Sequence, residues 1–385
     1  MKQIFSGTSS QLFSPLLQKE IVKLHLPTQN MNVISKLQPS PFGGNKTITS
    51  PISLTPYAGS VRCTARCKFC SECLDKTNSD HPQNSYNIIS SKQFFSCLTK
   101  SLKKLRNNKV ILCLSGLEPT SNQEWLIDCL RSVRAIEEGD LETKPEFFAK
   151  YLYSNCSGLA INGQFLDQPL QKEVELRNRL VKELIKYEPT DVYISRHHYD
   201  ETVNQRIMQY HSNVSIKHQH TFEKTMIDLN QKLPMRLDAV LQKSGISNIS
   251  RCEDYLNWAI GMGIENVFFR NLAYFNDDYV NKTNTSSYIA NNRVNIDNLV
   301  SKCLGRHNWT PISQKVGYYY FCLKFNYKNK ISATFEISDY GVLENKHNTN
   351  TIYKLILYPN GNLTSDWYPE KNVQVSLKNF QHLEV

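Results

Sequence analysis

The sequence predicts an α/β fold: a parallel sheet of βα units, arranged as an open sheet or a partial TIM-type barrel, followed by a C-terminal β-hairpin appendage. Three observations carry this. Short β-branched or aromatic runs alternate with runs of helical period six times between about residues 52 and 270. Two of the intervening helices carry capping signals at their starts. After about residue 310 the helical period gives way to strand runs joined by short polar turns.

Taken in order, residues 1–50 are rich in Ser, Gln, Pro and Asn, with one weakly amphipathic stretch at Leu16, Leu17, Ile21 and Val22. This segment is read as a leader or lid that covers a barrel end. Strands are expected at 52–57, 109–114, 148–153, 191–195, 235–241 and 266–269, each a run enriched in residues that fit a pleated surface. Between them, Phe94, Phe95, Leu98, Leu102 and Leu105 make one helical face, and Tyr255, Leu256, Ala259 and Ile260 another. Ser121 with Glu124, and Ser250 with Glu253, have the spacing of a capping box. Runs at 317–326 and 331–337, and at 351–358 and 363–367, read as two antiparallel hairpins, the second turning at Asn360-Gly361. The expected division is therefore a leader at 1–50, a βα domain at 51–300 and a β-rich appendage at 301–385.

A chain of 385 residues buries a sizeable core without disulfide staples, and its 11 cysteines, an odd number, cannot all pair within it. No run of about 18 apolar residues suits a membrane span, and the first residues lack the apolar core of a secretory signal. The expectation is a cytoplasmic protein with reduced thiols, in which clustered cysteines are metal ligands. The net charge of +10 invites a nucleic-acid reading. Its distribution argues otherwise: residues 1–62 hold 6 basic and 1 acidic side chains, 63–300 hold 29 and 28, and 301–385 hold 10 and 6. The middle of the chain is nearly neutral, so nucleic acid ranks below a peptide or small metabolite as partner.

Directly after the first strand, Cys63, Cys67, Cys70 and Cys73 fall on one polar loop that also carries Arg62, Arg66, Lys68 and Glu72. Thiolates at spacings of three to four suit an iron–sulfur cluster or zinc. A closed four-thiolate zinc site, in a protein whose basic ends contact nucleic acid, is the competing reading of the same loop. The histidines at 197, 198, 211, 218 and 220 fit no zinc spacing and are expected at the surface or at helix caps. Cys113, Cys129 and Cys252 lie at apolar positions and are expected in the core.

The spacing Cys63-x3-Cys67-x2-Cys70, with Phe69 before the last thiol, resembles the cluster loop of the radical S-adenosylmethionine (SAM) superfamily. The segment Ser115-Gly116-Leu117-Glu118-Pro119, after the second strand, resembles that family's SAM amino-group loop, with Ser115 and Leu117 departing from the commonest pattern. The resemblance spans about residues 52–275 and implies a partial (β/α)6 TIM-type barrel. It implies a [4Fe–4S] cluster on Cys63, Cys67 and Cys70, with Cys73 a free thiol beside it, and SAM bound at the open iron. It further implies reductive cleavage of SAM and hydrogen abstraction by a 5′-deoxyadenosyl radical. On this resemblance Gly116 and Glu118 hold the SAM amino group, and Ser154, Asn155, Ser195, Arg196 and Arg236 are candidates for its carboxylate and ribose. Ile264, Val267 and Phe268 are candidates for the adenine floor. Tyr199, Asp238, Arg270 and Asn271, at strand ends, are candidates for the substrate side. A peptide or small-molecule substrate and an electron donor such as flavodoxin or ferredoxin complete the expected partners.

Overall fold

The structure, a computed structural model, describes residues 13–30, 37–59, 62–73, 88–140, 144–160, 171–275, 283–347 and 349–381. The side chain of Cys73 and residues 1–12 of the leader lie outside the described residues. Fourteen strands are found among these: β1 (Thr28–Asn30), β2 (Gln38–Pro39), β3 (Thr47–Pro56), β4 (Lys109–Leu114), β5 (Glu146–Ser154), β6 (Asp191–Ser195), β7 (Met235–Leu241), β8 (Asn266–Asn271), β9 (Trp309–Val316), β10 (Tyr320–Tyr327), β11 (Ile331–Ser338), β12 (Thr351–Leu357), β13 (Leu363–Thr364) and β14 (Val373–Val375). The helices are α1 (Pro15–Lys23), α2 (Ser91–Lys104), α3 (Gln123–Glu137), α4 (Gln171–Tyr187), α5 (Glu201–Met208), α6 (Gln219–Asn230), α7 (Ile249–Gly261), α8 (Asn284–Asn292), α9 (Ile296–Leu304), α10 (Tyr340–His347) and α11 (Leu377–Gln381).

Strands β3 to β8 pair in chain order, every neighbour parallel, as the six βα units predict. Alternation along each strand assigns its two faces. Val192 and Ile194 of β6, and Leu237, Ala239 and Leu241 of β7, turn outward and are buried in the core that the helices cover. Asp191, Tyr193 and Ser195, with Arg236, Asp238 and Val240, turn inward. The inner face is filled at mid-height by rings: Tyr153 stacks on Tyr193 at 4.8 Å, and Phe268 meets Tyr193 edge-on at 5.3 Å.

Both C-terminal hairpins are present, and each contributes one strand in parallel to an outer member of the six. β11 pairs with β8, and β12 with β3. The chain after residue 309 thus lengthens the sheet at both ends. Among the described residues the sheet is not closed by hydrogen bonds. Instead Tyr318, at the β9–β10 turn, stacks on Tyr353 of β12 at 4.7 Å, and Tyr340 of α10 meets Trp367 at 4.7 Å. These contacts join the β9–β11 side of the curved sheet to the β12–β13 side through rings.

Two helix starts differ from expectation. α3 is capped by Asn122, which accepts from Trp125, while the Ser121 hydroxyl donates to the Glu118 carbonyl. α7 is capped by Asn248, and Glu253 instead accepts from Trp309 and Arg306. In both cases the helix starts directly after an Asn, whose side-chain oxygen accepts the first-turn amide as an N-cap. A full capping box occurs at α2, from Ser90 and Gln93. In the leader, Leu17 and Ile21 of α1 are buried, Leu16 is exposed, and Phe13 packs edge-on to Phe321 of β10. α1 therefore lies against the β9–β10 side of the sheet.

Candidate active site

The cysteine loop is fixed by its own backbone. Ala65 bridges Tyr210, the Arg66 amide donates to the Met208 carbonyl, and the Lys68 amide to that of Ile207. Cys70 closes a turn on the Cys67 carbonyl. Phe69 packs edge-on to the His197 ring at 4.7 Å. The loop is thus anchored on the last turn of α5 and the residues just after it, with Cys63, Cys67 and Cys70 all partly exposed.

Glu118 sits at the exit of β4 behind Gly116, whose φ of +94° only glycine tolerates without strain. A Cβ there would also come within 2.7 Å of the Tyr57 ring. The Glu118 side chain is 1% exposed. One carboxylate oxygen accepts from the Thr120 amide at 2.9 Å, the Thr120 hydroxyl at 2.6 Å and the Ser154 hydroxyl at 2.6 Å; the other accepts from the Asn155 amide. Burial pushes its pKa up, while the bonds from Ser154, Thr120 and Asn155 oppose that. No Lys or Arg forms an ion pair with it among the described residues. Gly158 lets this corner close: a Cβ there would lie 1.7 Å from the Thr120 carbonyl oxygen.

Asn155 joins the two loops. Its side-chain amide donates to Thr64 Oγ1 at 3.0 Å and to Cys63 Sγ at 3.8 Å. The Cys63 thiol is pushed up to about 12, by burial first and then by the Glu118 carboxylate, so the chain alone disfavours a thiolate there.

The three thiols, Gly116, Glu118, Ser154, Asn155 and Ser195 line one cavity of about 1010 Å³ at the carboxyl ends of the strands. Asp238, Arg270 and Asn271 line it too. Arg270 donates from Nε to Asp238 at 2.7 Å and from Nη1 to Glu336 of β11 at 2.5 Å.

Other expected residues lie elsewhere. Arg196 is fully buried on the outer face; it donates to the Ile216 and Lys217 carbonyls and lies over the Phe222 ring at 4.7 Å. Strand parity explains the correction: Ser195 turns inward, so Arg196 turns out to α6. Arg236 does face inward, but at the amino-terminal end of the barrel, where it pairs with Asp191 beneath the Tyr193 and Phe268 rings. Tyr199 donates to Asp254 at 3.3 Å and stacks on His198, away from the cavity. Ile264 and Val267 are buried in the helix-side core. Phe268 faces inward but lies beneath Arg270, off the cavity lining.

His197 and His198 are buried and not at the surface as expected. His197 lines the cavity, with its Nδ1 accepting from the Val240 amide at 3.1 Å, and burial lowers its pKa to about 3. Parity along 195–198, in then out, was the signal available for it. Glu336 had no such signal, because it reaches the site only through the parallel pairing of β11 with β8.

No protein-family model and no curated protein matches the chain. Among solved structures it resembles SuiB of Streptococcus suis bound to its precursor peptide SuiA, at 18% identity and a TM-score of 0.37, covering 57% of this chain and 39% of that one. It also resembles TYW1 with a lysine–pyruvate adduct bound, at 13% identity and a TM-score of 0.37, covering 79% and 93%. A third is the radical SAM methyltransferase TsrM from Kitasatospora setae with tryptophan substrate and a SAM analog bound, at 11% identity and a TM-score of 0.35, covering 57% and 35%. The chain spans about two-fifths of the length of the SuiB chains it matches.

The residues present fit the groups a radical SAM site holds. Among the described residues no three His, Cys, Asp or Glu side chains converge on a point for one ion. A cubane instead takes each thiolate on a separate iron, and all three thiol-bearing residues line the one cavity. The buried carboxylate of Glu118 lines the same cavity, forms no ion pair with Lys or Arg among the described residues, and suits an ammonium group. Among the described residues no helix is long and apolar enough to cross a membrane.

Proposed function

We propose that this chain is a radical SAM enzyme acting on a peptide or small metabolite. Cys63, Cys67 and Cys70 would hold a [4Fe–4S] cluster, and Glu118 would take the SAM amino group. The observation that carries this reading is Asn155, which bonds Cys63 with its side chain and Glu118 with its backbone, so that cluster loop and SAM loop form one unit. When bound, the cluster and SAM supply an electron and a 5′-deoxyadenosyl radical that abstracts hydrogen from an unactivated carbon.

The chain's own work is positional. Gly116 lets the β4 exit approach the ligand closely, and Ser154 and Thr120 hold the Glu118 carboxylate at one rotamer. Phe69 and His197 brace the tip of the cysteine loop, and the ring layer of Tyr153, Tyr193 and Phe268 closes the barrel beneath the cavity against water. The nearly neutral residues 63–300 favour a peptide or metabolite over RNA as substrate. Low-temperature electron paramagnetic resonance of the anaerobically reconstituted, reduced chain tests the reading. A cluster signal whose shape changes on adding SAM supports it; a cluster signal indifferent to SAM overturns it.

A further inference from the structure

On that reading the cavity takes up an electron from outside, and the face around the cysteine loop carries a group of charges suited to its delivery. Arg62, Arg66 and Lys68 are exposed at the cavity rim. Arg206 of α5 joins them. It is exposed and lies one turn before the rim residue Gln209, and the carbonyls of Ile207 and Met208 beside it hold the Lys68 and Arg66 amides. None of the four forms an ion pair among the described residues, whereas Arg131 and Arg134 of α3 and Arg177 and Arg179 of α4 all do. The nearest acid in the loop, Glu72, is half-buried and accepts from the Tyr57 hydroxyl at 2.7 Å. Residues 63–300 hold 29 basic and 28 acidic side chains, so this unpaired group is a local excess in a nearly neutral stretch.

Like charges grouped without counter-ions repel, and an acidic partner relieves them. Position selects the partner. Arg62 precedes Cys63, and Arg66 and Lys68 flank Cys67, each one residue or about 3.8 Å away along the chain. A partner gripped by these side chains stands over the thiols without entering the barrel. An electron carrier requires no more than that, whereas a substrate has to enter the cavity. RNA is disfavoured: Phe69 packs on His197, and Tyr288 lies beneath Lys68 at 5.7 Å, so neither ring stands free for a base to stack on.

Resting on the function proposed above, we propose that Arg62, Arg66, Lys68 and Arg206 form the docking face for an acidic one-electron carrier protein. One electron leaves the carrier for the cluster, and no bond is made or broken at the interface. Opposite charge on the two surfaces steers the encounter, so the contact is tightest at low salt.

Anaerobic calorimetry tests this by titrating a bacterial flavodoxin, the acidic carrier used as probe, into the reconstituted, SAM-loaded full chain at low and high salt. The expected result is a complex whose Kd rises at least about 10-fold from about 50 to about 500 mM salt. Arg66→Glu combined with Arg206→Glu should raise the low-salt Kd by a similar factor, whereas Lys182→Glu, at an exposed position of α4, should not. In turnover the double variant should need about 10-fold more flavodoxin for half-maximal 5′-deoxyadenosine formation, while its rate with dithionite stays that of the wild type. Arg66 adjoins Cys67, so iron per chain is measured on each variant; should it fall, Arg206→Glu alone, off the loop, reads the same shift at about 3-fold. No flavodoxin binding, a Kd indifferent to salt or to the reversed charges, or tighter binding of single-stranded RNA than of flavodoxin overturns the docking face. Absence of 5′-deoxyadenosine from the wild type with dithionite sinks the enzyme reading, whereas its presence with an unaltered flavodoxin response in the variants sinks the docking face alone.

Discussion

The side-chain amide of Asn155 lies 3.8 Å from Cys63 Sγ, and the same residue's backbone amide donates to Glu118. One residue at the exit of β5 therefore sets both the Cys63 thiol and the Glu118 carboxylate. Replacing it by alanine removes the Thr64 and Cys63 contacts and leaves the backbone bond. Asn155→Ala should weaken cluster retention about 10- to 100-fold, as loss of an outer-shell partner does elsewhere. Iron per chain during chelator challenge checks it, with Asn155→Asp as a variant of the same shape that lacks the donor.

The three cysteines proposed to hold the cluster should be separable from the rest. Alanine at Cys63, Cys67 or Cys70 should each remove the brown cluster absorbance, whereas alanine at Cys129 or Cys252, buried in the helix-side core, should leave it. The latter changes shrink a buried group and cost about 1 kcal/mol of stability each. Absorbance at the cluster band and iron analysis after anaerobic reconstitution distinguish the two groups.

Gly158 is a steric test of the Glu118 corner. A Cβ there would lie 1.7 Å from the Thr120 carbonyl oxygen, so Gly158→Ala must displace the turn whose Thr120 holds Glu118. A stability loss of about 3 kcal/mol in urea denaturation is expected, together with weakened SAM binding. Gly261→Ala, where nothing lies within 4 Å of the added Cβ, is the control and should lose neither.

His197 predicts a pH dependence. Its pKa is lowered from 6.5 to about 3 by burial, so between those values the unfolded chain takes up a proton that the folded chain does not. Stability is therefore full above pH 6.5 and lost as pH falls through the window, by about 1.4 kcal/mol per unit from this residue. Between pH 7 and pH 5 the loss should be about 2 kcal/mol. His197→Asn, which keeps an acceptor for the Val240 amide, should be less sensitive by that amount in urea denaturation at the two pH values.

The strands β4, β6 and β7 were legible to the residue because apolar β-branched runs there end abruptly in polar loops. Cys63, Gly116, Glu118 and Asn155 line one cavity, and each was singled out because it lies on a polar loop directly after an expected strand and matches, or adjoins, the motif that carries the resemblance. Arg196 and Arg236 were misplaced because their roles depend on which face and which depth of the barrel they occupy. A single step of parity turns Arg196 out, and two residues of depth bury Arg236 against Asp191. Glu336 was missed because its partner, Arg270, is 66 residues away in sequence, and only the pairing of β11 beside β8 brings them together.

The central claim is that these loops cleave SAM. Its most direct test is the anaerobic incubation of the reconstituted chain with SAM and dithionite, with 5′-deoxyadenosine and methionine quantified by mass spectrometry, and with the Cys67→Ala variant alongside. The expected result is a brown protein with about four iron and four sulfide per chain, both products in equal amounts, and neither from the variant. A colourless protein that binds one zinc and leaves SAM intact would contradict it.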